Sequence, residues 1–510
     1  MLRTSFPRIF ASPCRLVQHL LSFALRAVLV APVPVWAMGL NDTGQNVCYD
    51  YNSVVVACNV SGALPGLDAF HGRDAAAAAG FTFKAGGGTA GFDFTKICAN
   101  GDAAGSGTCP ANPTANTGPN PAATEWACTR DNVTGLLWSL ESHTGGTWVS
   151  YSASATTSRC GQASGWRMPA TRELLSIIHG GTSSPAIDTA YFPGTQSNWY
   201  WAAEVEAIDP ADLANPNPVN HPNAWMVDFS NGMAGTNTKT DLSFPTRLVW
   251  GSAPTQGPFI VHPDATVTDT ATSLMWDRCT YGATGSDCLG GTPMTATGDY
   301  WPLAFAEVGA ANAAKYKGYD DWRLPNKNEL ESLVNRALGH VGPKIDGAAF
   351  PQTLGSSLLQ GRYLTSTTLF GNPAFFDYVD FGRGSVLTGQ KSDMPDTSKY
   401  AMRLVRGGNG TPSFDGNFNA MAGHLVSVAP TPGLAGTLPN GPQVINTYQA
   451  VAYTLLPEPG YRLESVSGCG GTLVGNVYTT SKSMANDCVV YPVMALAPAA
   501  HRHGAWCAVH

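Results

Sequence analysis

The sequence predicts an α+β fold built as two tandem domains and followed by a small all-β module. Three observations carry this prediction: an internal repeat with a fixed spacing, an apolar stripe at helical spacing after a tryptophan landmark in each repeat, and alternating strands that run into glycine turns further on. The composition agrees, because 56 Gly, 36 Pro and 13 Trp with only 13% charged residues suit turn-rich modules anchored by aromatic side chains. At roughly 100–200 residues per domain, 510 residues imply several cores.

The repeat is the strongest signal. Gly165-Trp166-Arg167-Met168-Pro169 returns as Asp321-Trp322-Arg323-Leu324-Pro325, and Trp166 and Trp322, Glu173 and Glu329, and Arg247 and Arg403 all stand 156 residues apart. Between these landmarks the order holds: Ile187-Asp188 with Phe192-Pro193 matches Ile345-Asp346 with Phe350-Pro351, and Val227-Asp228-Phe229 with Gly232 matches Val379-Asp380-Phe381 with Gly384. The copies span 128–252 and 262–408. From Trp138 to Trp166 is 28 residues but from Trp276 to Trp322 is 46, and the extra length holds the helix-compatible stretch Leu303 to Lys315.

Each landmark proline predicts a helix start. Asn326 can cap the second helix while Glu329, three residues on, returns to the cap amide; Leu330, Leu333 and Val334 then form its apolar stripe, matched by Leu174, Ile177 and Ile178 in the first copy. Ala170 stands where Asn326 does, so the first helix should start less firmly. Trp166, Trp322, Arg167 and Arg323 read as core anchors and charge partners rather than ligand contacts, and Glu173 and Glu329 as capping groups rather than acids or bases. Met226 to Phe229 and Tyr378 to Phe381 alternate as strands, which places Val379 and Phe381 on one face and Asp380 on the other.

The start of the chain carries Arg3, Arg8, Arg15 and Arg26, no acidic residue, and an apolar run closing on Val35-Trp36-Ala37, the pattern of a secretory signal over residues 1–37. No later segment is apolar enough to span a membrane, so the expected location is secreted, periplasmic or cell-surface. Without those arginines, 25 Lys and Arg face 36 Asp and Glu, and a net charge near −11 argues against nucleic acid as a partner. Eleven cysteines remain, which in an exported chain read as disulfides. Cys279 with Cys288 and Cys469 with Cys488 each lie in one compact module and are predicted to be bonded. Close spacing suggests Cys48 with Cys58, Cys98 with Cys109 and Cys128 with Cys160, but leaves these pairings open, and Cys507 is the candidate left over.

Trp322 to Leu330, Ile345-Asp346, Phe350-Pro351, Tyr363 to Thr368, Val379-Asp380-Phe381 and Arg403-Leu404-Val405-Arg406-Gly407-Gly408 together resemble the Lcl C-terminal domain family, named for the carboxy-terminal part of a bacterial collagen-like adhesin. Asn41-Asp42-Thr43-Gly44 and Cys128 to Asn132 look like the leader that precedes such domains. The resemblance implies an extracellular α+β domain and, by analogy with the adhesin, binding of sulfated glycans. The helix-start motif is further similar to C-type-lectin-like and formylglycine-generating-enzyme-like folds. The first copy departs from the family pattern at Trp250, where the second has Arg406, and at Trp201-Ala202-Ala203 against Leu364-Thr365-Ser366. Residues 38–127 read as a strand-poor, loop-rich leader, 411–497 resembles an internalin-like bacterial surface repeat, and 498–510 is a tail.

No catalytic constellation stands out. The chain has no Gly-x-Ser-x-Gly elbow, no His-Glu-x-x-His, no phosphate loop and no clustered metal-ligand spacing, and His221, His262 and His340 are scattered. The expected protein is therefore a non-enzymatic binder of polysaccharide or other glycans in adhesion, without cofactor or metal. The alternative is a structural surface scaffold that packs on protein partners. Lys and Arg number 13 in the second copy and 6 in the first, and Lys315, Lys317, Lys327, Arg336 and Lys344 lie near one helix, where they are the candidate glycan contacts.

Overall fold

A computed structural model describes residues 40–497, apart from 51, 59–63, 65, 79–83, 154–157, 208–221, 254–255, 273, 297–299, 339–341, 356–360, 392–399, 408–423, 430, 439–442, 446–451 and 481–487. The predicted signal, the tail with Cys507, and His221 and His340 lie outside the described residues.

Strands dominate, with 35% of the described residues against 11% in helix, and the α+β expectation is corrected to a mostly β fold. Among the described residues the α-helices are short, the longest being Tyr300–Ala313 in the insertion of the second copy. Both landmark helices do form, but they end early, as Thr171–Ser176 and Lys327–Glu331. The apolar stripe outlasts them because tight turns take over: Leu333 N donates to Leu330 O (3.2 Å) and Val334 N to Glu331 O (2.8 Å), as Ile177 N and Ile178 N donate to Leu174 O and Leu175 O. Spacing at i, i+3 and i+4 is met by one helical turn and a following three-residue turn as well as by a long helix.

The copies repeat the same sheet. In the first, strands Phe94–Cys98, Trp126–Asp131, Leu137–His143, Thr246–Trp250 and Trp166–Arg167 lie in that order, and the second follows with Phe259–Val261, Thr266–Asp269, Leu274–Asp277 and Val405–Gly407. Arg323 bridges Val405 where Arg167 pairs with Val249, at the same 156-residue offset. The edge strand Phe94–Cys98 comes from the leader, which was expected to be poor in strands.

A second sheet joins the copies. Strands Trp199–Val205, Asn223–Asp228 and Ala234–Thr238 form one meander, Arg362–Thr368, Phe375–Asp380 and Ser385–Gln390 the other, and their outer strands meet antiparallel at Ala234 and Val386. With Tyr400–Ala401 and Thr295–Ala296 this makes one eight-stranded sheet. The landmark helices pack on it and on each other, so one core runs through both copies, from Leu174, Ile178, Tyr200 and Val227 to Leu330, Leu333, Tyr363 and Val379. Gly232 and Gly384 turn at positive φ (83° and 80°) in this joint, and a Cβ there would lie 2.8 Å from Lys327 Nζ and 2.8 Å from Lys344 Cδ respectively.

Two buried arginines brace the copies identically. Arg247 donates to Ser139 O (3.0 Å) and Thr195 Oγ1 (2.6 Å) over the Phe192 ring; Arg403 donates to Asp277 O (2.8 Å) and Thr353 Oγ1 (2.8 Å) over the Phe350 ring. Among its described residues the C-terminal module is all-β, with two four-stranded sheets around Val426, Tyr453, Leu455, Tyr478 and Val490. Cys279–Cys288 and Cys469–Cys488 are bonded, and so are Cys48–Cys58, Cys98–Cys109 and Cys128–Cys160. Among the described residues no helix is long and apolar enough to cross a membrane.

Candidate functional site

The helix starts place the charged groups. At the second, Asn326 Oδ1 accepts from Glu329 N (2.9 Å), Glu329 Oε2 accepts from Asn326 N (2.9 Å), and both Glu329 oxygens hold the Arg323 fork at 2.6 Å. Arg167 and Glu173 repeat the fork at 2.6 and 2.5 Å. Alanine cannot accept from Glu173 N as Asn326 does from Glu329 N; Glu204 of the neighbouring strand meets a different amide, accepting from Thr171 N (2.7 Å) and Thr171 Oγ1 (3.0 Å), as Thr367 Oγ1 accepts from Lys327 N (3.0 Å) in the second copy.

One position further on, Arg172 crosses to the second copy, where it donates to Ser332 O and lies 3.7 Å from Glu331 Oε2. Arg336 Nη1 reaches the other oxygen of Glu331 at 2.5 Å, and its guanidinium lies 4.7 Å over the ring of buried Trp225 in the first copy. Two guanidinium groups therefore share one buried carboxylate. Burial pushes the Arg172 guanidinium down from its ordinary pKa and Glu331 opposes that shift, while arginine stays charged throughout.

Arg172 and Arg336 line a cleft of about 790 Å³ between the copies. Arg172, Glu204 and Ala170 come from the first copy and Val334, Asn335, Arg336, Ala337, Asp346, Ala348 and Ala349 from the second; Gln256, Pro258, Phe259 and Val261 close it from the connecting segment and its edge strand. Gln256 Nε2 donates to Ser332 O (3.0 Å), which ties that segment to the same turn. An apolar wall with a few fixed polar groups suits binding of a small molecule or one unit of a chain.

Of the sequence candidates, Arg336 alone lines this cleft. Lys315 has a side chain 72% exposed, 3.6 Å from Asp320. Lys317 Nζ is held by Asp277 Oδ1 (2.6 Å) and Ala265 O (2.5 Å). Lys327 and Lys344, candidate glycan contacts, are instead buried: Lys327 Nζ lies 2.9 Å from Asp377 Oδ2, and Lys344 Nζ donates to Leu338 O (2.6 Å), with burial lowering its pKa. The five do not form one surface patch. Sequence reasoning missed Arg172, Glu331, Glu204 and Trp225, although Arg172 stands where the second copy has Asn328, a difference visible on aligning the repeats.

A second polar cluster fastens the leader. Asn41 Nδ2 donates to Asp131 Oδ2 (2.6 Å) and Ser176 O (3.0 Å) in the first copy, while Asp42 Oδ1 accepts from Asn326 Nδ2 (2.8 Å) and Gln45 Nε2 donates to Thr368 O (2.6 Å) in the second. Thr43 Oγ1 and Thr367 Oγ1 donate to Asp68 Oδ2, and Gly44 N and Gly91 N to Asp74. Burial, reinforced by mutual repulsion, pushes Asp42 up to about 6, Asp68 up to about 7 and Asp74 well above the ordinary carboxylate range. Among the described residues no group of three or more His, Cys, Asp or Glu is placed to hold a metal ion.

The profile of the Lcl C-terminal domain family matches residues 127–250 and 265–406, together more than half of the chain, and these are the two repeats seen in the sheets. No curated protein and no solved structure matches, so no solved structure supports the likeness to lectin-like or formylglycine-generating-enzyme-like folds. With its landmarks, its duplicated sheet and its buried arginines repeated in register with that profile, the chain belongs to the Lcl C-terminal domain family, carried as two tandem copies.

Proposed function

We propose that the protein is an exported, non-catalytic binding protein that holds a polysaccharide or other glycan in the cleft between its two repeats. The observation that carries this reading is that Arg172 and Arg336, one from each repeat, line one cleft while sharing the single carboxylate of Glu331, fixed donors in a partly apolar setting. The five disulfides fit an oxidising compartment and the signal-like start fits export, which would place the cleft at the bacterial surface or outside it. The C-terminal module serves in this reading as an internalin-like spacer.

A glycan array probed with the full-length protein tests the reading, with the bound glycans then incubated and assayed for new reducing ends. Retention of a defined set of glycans without turnover is expected. Turnover would remove the non-catalytic part, and no retention would favour the scaffold reading. One observation speaks for that second reading: Tyr491 and Val493 are 52% and 44% exposed on one face of a strand of the C-terminal module, an apolar pair suited to a protein partner.

A further inference from the structure

The geometry points to a carboxylate as the group recognised in the cleft, and hence to a saccharide bearing uronate groups as its ligand. We propose that Arg336 supplies the receiving fork. This inference rests on the glycan-binding reading above and deepens it.

The guanidinium of Arg336 has one nitrogen committed, Nη1 to Glu331. Its other edge, Nε with Nη2, has no hydrogen-bond partner among the described residues although the side chain is only 4% exposed. Those two N–H groups are parallel and match the two oxygens of a planar carboxylate, the pairing that gives arginine its specificity for such groups. Buried polar groups are nearly always paired, so an orphaned pair on one face of one arginine calls for an outside partner. The fork is also held in place beforehand, by Glu331 on one side and the Trp225 ring on the other.

The remaining charges select the kind of anion. Glu204 and Asp346 also line the cleft, the first capping the helix at Thr171 and the second accepting from Ala348 N (2.8 Å) and Ala349 N (3.0 Å). With Glu331 counted, three fixed carboxylates stand beside two arginines, so a densely sulfated chain is repelled and a single anionic group is held by the hydrogen-bond fork and not by net charge. A sugar with one carboxylate per ring meets that condition and can rest its apolar face on Phe259 and Ala348.

The test is titration calorimetry on the full-length protein with polygalacturonate, alginate and hyaluronate, against methyl-esterified polygalacturonate, dextran sulfate and dextran. Binding to at least one uronate is expected, weakened at least tenfold by esterification of that backbone or by Arg336→Lys, which keeps the charge and removes the fork. Ala348→Glu, at an exposed position on the cleft wall, should weaken the same binding several-fold, and it decides the matter if Arg336→Lys proves unfolded by its melting curve. Equal binding of the ester, tighter binding of dextran sulfate, or variants that bind like the parent would overturn the carboxylate assignment. Binding to dextran alone would overturn it too and leave the glycan reading standing, whereas no binding on the array or in the calorimeter removes both.

Discussion

The first and second repeats begin their landmark helices with different atoms. In the second, Asn326 caps Glu329 N and its amide nitrogen goes on to Asp42 of the leader; in the first, Ala170 can do neither, and what both copies keep is an acceptor from the neighbouring strand, Thr367 for Lys327 N and Glu204 for Thr171 N. The same contrast runs through the copies: Arg167 is partly open to water whereas Arg323 is buried, and Arg172 reaches across to the other repeat where Asn328 turns to the leader. A duplicated fold has thus kept its bracing arginines and changed the groups around its helix starts. The helix start of the second copy became tied to the leader, and that of the first sends Arg172 into the cleft.

The largest effect expected from this comparison is at the glutamates of the two forks. Glu329→Ala strands the buried Arg323 charge and should cost about 3–5 kcal/mol, whereas Glu173→Ala leaves Arg167 accessible to water and should cost about 1–3 kcal/mol. Denaturant melts of both variants measure the difference, and equal losses would break the distinction between the copies.

The leader cluster gives the next largest effect, as a dependence on pH. The folded pKa values of Asp42 and Asp68 lie at about 6 and about 7, above the ordinary carboxylate value near 4, so the folded state holds more protons than the unfolded state in between. The stability they contribute is fully present below pH about 4 and is lost as pH rises through about 7. His143 and His179, lowered by burial, act in the opposite sense below pH about 6.5, and Lys391, lowered to about 7, does so above it. Comparison with Asp68→Asn isolates the aspartate: between pH 5 and 8 the melting temperature of the parent should fall relative to that of the variant. Parallel curves would show that Asp68 holds no extra proton.

A smaller change sharpens the comparison of caps. Ala170→Asn restores to the first copy the cap of the second and should raise stability by about 0.5–1 kcal/mol. If Glu204 already meets the whole need of that helix start, the melting temperature will not move.

Much of this was legible in the residues themselves. The repeat, the Asn326–Glu329 box, the partnership of each landmark arginine and the split of Val379 and Phe381 from Asp380 are local patterns, and a local pattern shows in the sequence. Helix length was not legible, because Leu330, Leu333 and Val334 are equally buried by a helix or by a turn. Nor was the fate of the lysines: Lys327 finds Asp377 fifty residues away, and Lys344 is covered where Gly384 and Trp225 come together between the repeats. Their burial follows from how the two copies join, and nothing in the spacing of a single copy encodes that joint. The cap from Glu204 and the crossing of Arg172 were hidden for the same reason.

The central claim is that ligand is held between the repeats and not on either one alone. Hydrogen–deuterium exchange of the full-length protein, with and without a glycan retained on the array, tests it most directly. Protection should appear together at the first-copy helix around Arg172, at the connecting segment from Gln256 to Val261 and at the turn from Ser332 to Ala337. Protection confined to one repeat, to the exposed surface around Lys315, or to the C-terminal module would contradict the account.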